Sequence, residues 1–444
     1  MIPPKPVPRP RRVSLWRYMR LFRADILSAQ PDHLYDARMA EFRTPFFRSY
    51  LVNEPELIRT VLGERPRDFP KSDRVGEGLR PLLGQSVFVT NGVTWARQRR
   101  IIDPAFEGGR LRDTFPALLA AGTAAVDRLA PGEQDIEPWA SHVAADVIFR
   151  ILFSIPIEAK LAAEVFDAFR AYQRTAPILN LGAFLPLPRW MPRGHRSAAR
   201  EAAARIRTAI TALVEARAAE IRDGRAPDDL ATKIMTTPDP ETGACFGPDE
   251  MVDQVAIFFL AGHETSASAL AWSLFLLARN PDAQVRVAEE ARLFAAAPGF
   301  GALSRLAFTR DVFREALRLY PPVPMMVRET AGPERFRGRA VPKGAQIVIS
   351  PWHLHRHRRH WTNPDAFAPE RWQDEARCPR NAFLPFSSGA RACPGAGFAM
   401  MEVPVLLALT LDRWTMRPGR ADPVPVAHLT VRGRDGVRVD IIQR

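Results

Sequence analysis

Phe386-Ser-Ser-Gly389-Ala-Arg391-Ala-Cys393-Pro394-Gly395 sets a single cysteine between two glycines, with an arginine two positions before it. A run of helix-forming residues follows, from Phe398 to Leu411. The arrangement presents a lone thiolate at the start of a helix, where unpaired N–H groups and the positive dipole end stabilise its charge. Gly389 and Gly395 let the backbone turn tightly and approach a flat ligand with no Cβ in the way. One cysteine is too small a ligand set for zinc or for an iron–sulfur cluster. It is enough for haem, whose porphyrin supplies the other four donors.

Further up the chain, Pro248-Asp249 precede a long apolar-periodic run from Met251 to Arg279, stopped by Asn280-Pro281. Within this expected helix lies Ala261-Gly262-His263-Glu264-Thr265-Ser266. A mid-helix glycine costs about 1 kcal/mol relative to alanine, and a carboxylate in so apolar a run costs more. Such local penalties mark function. Gly262 leaves room for a small ligand against the helix wall. Glu264 and Thr265 put an ionisable group beside a hydroxyl, a short relay for protons. The Thr265 hydroxyl can compete for the carbonyl of residue 261, making a kink easy. His263 is expected to serve packing rather than catalysis.

Both segments resemble the cytochrome P450 family. The first fits its haem loop, Phe-x-x-Gly-x-Arg-x-Cys-x-Gly, at Phe386, Gly389, Arg391, Cys393 and Gly395; the second fits its oxygen-binding helix at Ala261, Gly262, Glu264, Thr265 and Ser266. The resemblance implies haem b with Cys393 as the axial iron ligand, and Phe386, Gly389, Arg391 and Gly262 as cofactor contacts. It implies that Thr265 and Glu264 deliver protons during O2 activation, and that one oxygen atom enters a hydrophobic organic substrate by hydroxylation or epoxidation. Glu315-Ala-Leu-Arg318 is similar to the family's Glu-x-x-Arg, which pairs with a downstream arginine matched by Arg371; these three are expected to fold the chain and seat the haem. Trp95 and Arg99, one helical turn apart, can face one carboxylate; with Arg328 they match family positions that bind the haem propionates. The fold implied is mainly α (α+β), a triangular helical prism with small β-sheets, forming one domain over residues 14–444. Two alternatives stay open: a peroxide-using or isomerising haem-thiolate enzyme, whose members generally lack the acid–alcohol pair, and a non-catalytic haem sensor.

The bulk composition fits these expectations. Cys245, Cys378 and Cys393 are the three cysteines, widely spaced with no CxxC pair, so a reducing compartment is expected. No apolar stretch reaches bilayer length and no secretory leader is visible, so a cytoplasmic protein without a membrane span is expected. The net charge is +13, from 62 Lys and Arg against 49 Asp and Glu. No nucleic-acid-binding motif accompanies it. An acidic electron donor of ferredoxin or flavodoxin type, with its reductase, suits the charge better, and simple arginine-rich coding explains it equally well. The residues after Gly395 are too few for a fused reductase, so electrons are expected from separate proteins. Residues 1–13 hold five prolines and read as a flexible tail. Residues 14–28 place Leu15, Met19, Phe22 and Ile26 at helical spacing, with Arg17, Arg20 and Arg23 between them. This basic amphipathic helix could graze a membrane surface, though packing beside an apolar substrate entrance is the preferred expectation. Segments 71–91 and 176–190, with Phe258, Phe259, Val323, Met325 and Met326, are expected to line an apolar substrate cavity.

Overall fold

The computed structural model describes residues 1–10, 13–43, 48–107, 109–174, 197–374 and 378–444; the segment 176–190, expected as a cavity lid, lies outside them. Helices dominate. Those that position the site are α1 (Leu15–Ala24), α2 (Gly92–Ile102), α3 (Arg110–Val126), α4 (Glu137–Phe153), α5 (Ser197–Arg222), α6 (Pro248–Ala278), α7 (Pro281–Ala295), α8 (Ala307–Leu319) and α9 (Ala396–Arg413).

Helix α6 is the axis. It starts at Gly247, whose extended backbone turns into Pro248, and the Glu250 carboxylate accepts the Gly247 N–H at 3.0 Å. Asn280 and Pro281 end it. Its 31 residues span about 46 Å at 1.5 Å each. It is apolar all round, as suits a helix enclosed by others. Met251 to Leu260 pack with α4 and α5 in one hydrophobic core. From Ala267 to Ala278 the helix belongs to a second core, with α3, α7, α8 and α9. Residues 261–266 lie where one core gives way to the other.

A four-stranded sheet runs in the order Met39–Arg43, Arg48–Val52, Gln346–Ile349, Met326–Glu329. Its middle pair is parallel and its outer pairs antiparallel. A second sheet pairs Arg438–Gln443 with Gly132–Asp135 and Trp414–Pro418. Its strand Gly132–Asp135 falls in a stretch whose composition points to helix.

The first ten residues, expected to run free, are laid on the body instead. Phe367 N–H donates to the Met1 carbonyl at 3.0 Å, Tyr320 Oη donates to the Pro4 carbonyl at 2.7 Å, and Lys5 pairs with Asp365 at 2.5 Å. Prolines lack the N–H for sheet pairing, but their carbonyls serve as acceptors here.

Beneath them lies the ion cluster expected from sequence. Glu315, Arg318 and Arg371 are all buried. Arg318 donates twice to Glu315, at 2.9 and 2.8 Å, and to the carbonyls of His355, Pro364 and Ala366. Glu315 also accepts from Arg371 Nε at 3.1 Å, Trp372 Nε1 at 3.1 Å and Ala368 N–H at 3.0 Å. Burial alone would raise the Glu315 carboxyl, but the two guanidiniums lower it. One carboxylate thereby ties α8 to the coil 355–372. Glu315→Ala strands two buried guanidiniums and should destabilise the fold by about 3–5 kcal/mol, which chemical denaturation of the purified variant measures.

Candidate active site

Cys393 stands just before α9. Its N–H donates to the Phe386 carbonyl at 2.9 Å and the Ala392 N–H to the Gly389 carbonyl at 3.0 Å, closing the loop on itself. Gly389 has φ +68°, and a Cβ there would sit 2.1 Å from the Leu62 carbonyl oxygen; no other residue fits. Cys393 keeps exposed surface while protein crowds close around its thiol. That enclosure pushes the thiol up, against the Gly395 N–H and the Arg99 charge, which pull it down.

Cations gather around this loop. Arg391 donates to the Pro66 and Phe69 carbonyls at 2.7 and 3.1 Å, with its guanidinium 5.1 Å from the Trp95 ring. Lys71 lies 5.7 Å from the same ring and donates to the Val87 and Thr90 carbonyls at 2.5 and 3.0 Å. Arg328, on the sheet's outer strand, bridges Lys71 through the backbone; among the described residues its Nη1 has only the Val327 carbonyl, at 3.1 Å, and its Nε is buried without a partner. Arg99 reaches the Ala392 carbonyl at 3.0 Å and pairs with Asp103 at 2.7 Å. Among the described residues no carboxylate pairs with Lys71, Arg328 or Arg391. Burial, then Arg391, Arg328 and Arg99, push the Lys71 ammonium down to about 6. Burial and Arg391 push Arg328 down to about 10. Such mutual repulsion calls for an anion, and the two carboxylates of a haem fit it beside a lone thiol. Sequence reasoning placed Lys71 at the start of the expected cavity wall 71–91 but gave it no part beside the cysteine loop; only the fold brings it to Trp95.

Helix α6 packs on α9, with Ser266 Oγ donating to Glu402 at 2.5 Å. Every α6 residue from Met251 to Ala278 is buried except Ala261, Gly262 and Thr265. At roughly 100° per residue these three share one arc of the helix, with His263 opposite and Glu264 to one side. Thr265 Oγ1 donates to the Ala261 carbonyl at 2.6 Å, as expected, yet the helix runs unbroken through it. Gly262 has a second use beyond leaving space: a Cβ would press on Ile148 of α4 at 2.9 Å. His263 serves packing, with Nε2 at 2.7 Å from Ser141 Oγ and its ring against Phe166 and Phe259. Phe259, expected in the cavity, is core, enclosed by Phe149, Phe169 and His263.

Glu264 does not lie loose beside Thr265. Its Oε2 accepts from Arg432 at 2.5 Å and Thr430 Oγ1 at 3.2 Å, both on the C-terminal hairpin, while its Oε1 is buried without a partner. Arg432 also faces Glu137, pushed up to about 7 by burial against the Gly433 N–H and the Arg432 charge. Sequence reasoning also missed Glu402, a carboxyl buried within α9 and pushed up to about 8 by burial, with the Ser266 hydroxyl drawing it back. The available signal was an acid inside an apolar helical run.

A sequence profile of the family described as Cytochrome P450 matches residues 39–434. The chain is 35% identical to cyclooctat-9-en-7-ol 5-monooxygenase of Streptomyces melanosporofaciens, over 91% of this chain and 87% of that one. It is 33% identical to cyclooctatin synthase of the same organism, over 83% and 81%. It is 29% identical to mouse cytochrome P450 4A10, over 88% and 80%.

The folded state holds the Glu402 proton up to about pH 8, whereas an unfolded glutamate loses it near 4.3. Stability should therefore fall as pH rises across that window, because the unfolded chain releases its proton first. Glu402→Gln should flatten this dependence, read as denaturation midpoints at pH 5 and pH 8.

Proposed function

The chain belongs to the cytochrome P450 family and is a haem-dependent monooxygenase; within that class we propose that it oxidises an apolar, ring-bearing substrate with electrons brought by separate proteins. The observation that carries this reading is the cluster Lys71, Arg328 and Arg391, with no carboxylate partner among the described residues, beside the single thiol at the start of α9. Haem b, when bound, supplies the iron chemistry that activates O2.

The chain's own residues then divide the remaining work. Cys393 holds the iron through its thiolate, whose charge the Gly395 N–H and Arg99 favour. Phe386 and Gly389 shape the loop that presents it. Lys71, Arg328 and Arg391, with Trp95 and Arg99 alongside, hold the propionates. Ala261 and Gly262 give a smooth wall with no bulky side chain over the reacting face. Thr265 holds a proton at Oγ1 beside that wall, and its lone pairs stay free to accept another while it donates to the Ala261 carbonyl. Glu264 supplies protons behind it once its carboxylate parts from Arg432.

Val323, Met325, Met326 and Phe88 keep accessible apolar surface, which supports a hydrophobic substrate. The two Streptomyces relatives, one named for a cyclic alcohol, narrow it to a ring-bearing hydrocarbon or alcohol. We assign the electron donor to the ferredoxin or flavodoxin type, docking by charge on the basic chain. Three free cysteines suit the reducing cytoplasm. No helix among the described residues is long and apolar enough to cross a membrane.

The reduced, carbon monoxide-bound protein should show the red-shifted Soret band of thiolate ligation, and Cys393→His should convert it to a globin-like band. A globin-like band in the unsubstituted protein overturns the assignment. Thr265→Ala should cut product formation by about 10²-fold while reductant consumption continues and hydrogen peroxide accumulates, as measured with donor proteins and NAD(P)H. Lys71→Met should speed haem loss to an acceptor globin by roughly 10- to 100-fold, the worth of one charge-assisted hydrogen bond.

A further inference from the structure

The first twenty-four residues carry seven Lys and Arg and no acid before Asp25, more than half of the chain's +13 excess. Helix α1 ends this segment. Ser14 Oγ caps it by accepting the Arg17 N–H at 3.3 Å. Tyr18, Leu21 and Phe22 are half-buried against the body. The opposite arc holds Trp16, 76% exposed, and Met19, 38% exposed, flanked by the exposed Arg17, Arg20 and Arg23. None of these three arginines makes an ion pair among the described residues.

A single exposed apolar residue needs no explanation. A tryptophan and a methionine set among unpaired arginines, with no acid for two dozen residues, do. Arginines can stay at phosphate level while Trp16 and Met19 reach below it, the division of an interfacial helix. Polybasic charge and an amphipathic face are the two signals that together give stable attachment to anionic lipid. The helix is also firmly mounted. Asp25 at its end accepts the N–H groups of Leu27, Ser28 and Ala427 at 3.1, 2.8 and 2.8 Å, and Ile26 N–H donates to the Ala427 carbonyl at 3.0 Å. The strand Pro425–Ala427 leads into Thr430 and Arg432, which hold Glu264. The docking helix and the site thus share one rigid element.

We propose that α1 lays this protein on an anionic bilayer surface, with Trp16 and Met19 in the headgroup boundary and Arg17, Arg20 and Arg23 on lipid phosphates, where an apolar substrate is concentrated. The test is co-sedimentation of the full-length, haem-loaded chain with phosphatidylcholine vesicles, with and without phosphatidylglycerol. The chain should pellet only with the anionic vesicles and release as salt rises. Arg17→Glu, Arg20→Glu and Arg23→Glu together should weaken partition on the order of a hundredfold, at about 1 kcal/mol per surface arginine, while haem content and the carbon monoxide spectrum stay unchanged. A matched reversal of Arg200, Arg205 and Arg222 on α5 should leave partition largely intact. Failure to pellet with anionic vesicles at low salt overturns the proposal, as does an equal loss from the α5 reversal, which would make general charge the cause. It is also overturned if the α1 reversal spares vesicle binding but abolishes reduction by an acidic iron–sulfur protein; the surface would then be a protein dock.

Discussion

Three crowded basic groups, Arg328 buried and Lys71 and Arg391 half-buried, with no carboxylate between them among the described residues, are the constraint on which the site depends. Lys71 comes from the coil before α2, Arg328 from the outer strand of the first sheet and Arg391 from the cysteine loop. Each is steadied by backbone carbonyls, which orient a cation without neutralising it. Burying charge without an opposite charge is among the costlier things a protein does. An anion seated among them would relieve that cost and so link its binding to the stability of the fold.

The Glu315 cluster solves the reverse problem. There the opposite charges are present, every acceptor lone pair is used, and nothing in it reaches the cavity. Its service is mechanical. Arg371 and Trp372, upstream of the cysteine loop, are held by a carboxylate 56 and 57 positions before them.

Local chemistry made some of this legible in the sequence. A Gly at φ +68° and a cysteine before a helix are visible because their reasons lie within a few residues. Helix α6 was legible for the same cause, as its proline start and Asn-Pro stop bracket it. What stayed hidden is non-local. Arg432 meets Glu264 across 168 positions, and a lone arginine on a C-terminal hairpin carries no mark of its partner. Lys71 looks like any surface lysine until Trp95, Arg328 and Arg391 converge on it. The proline-rich start read as mobile because composition cannot see Tyr320 Oη or Asp365 waiting for it. Gly262 was read for the ligand's sake, while Ile148 shows that α4 needs the same space.

Two acids near the turn 261–265 of α6 differ in their partners, and that difference decides what each can do. Glu264 has a guanidinium at 2.5 Å and one oxygen without a partner. Glu402 has a single hydroxyl, and burial keeps its proton in place to about pH 8. A carboxyl that stays neutral at pH 7 and accepts from the Ser266 hydroxyl is suited to holding α9 on α6. A carboxylate gripped on one side only can turn, and the group behind Arg432 is Glu137, itself poised near neutrality at about 7. A half-buried acid on the protein's outer side, a guanidinium and an inner acid thus form a row that ends one residue short of Thr265. Glu264 therefore keeps an oxygen open to a further donor, whereas Glu402, held on Ser266 and keeping its proton, is a strut.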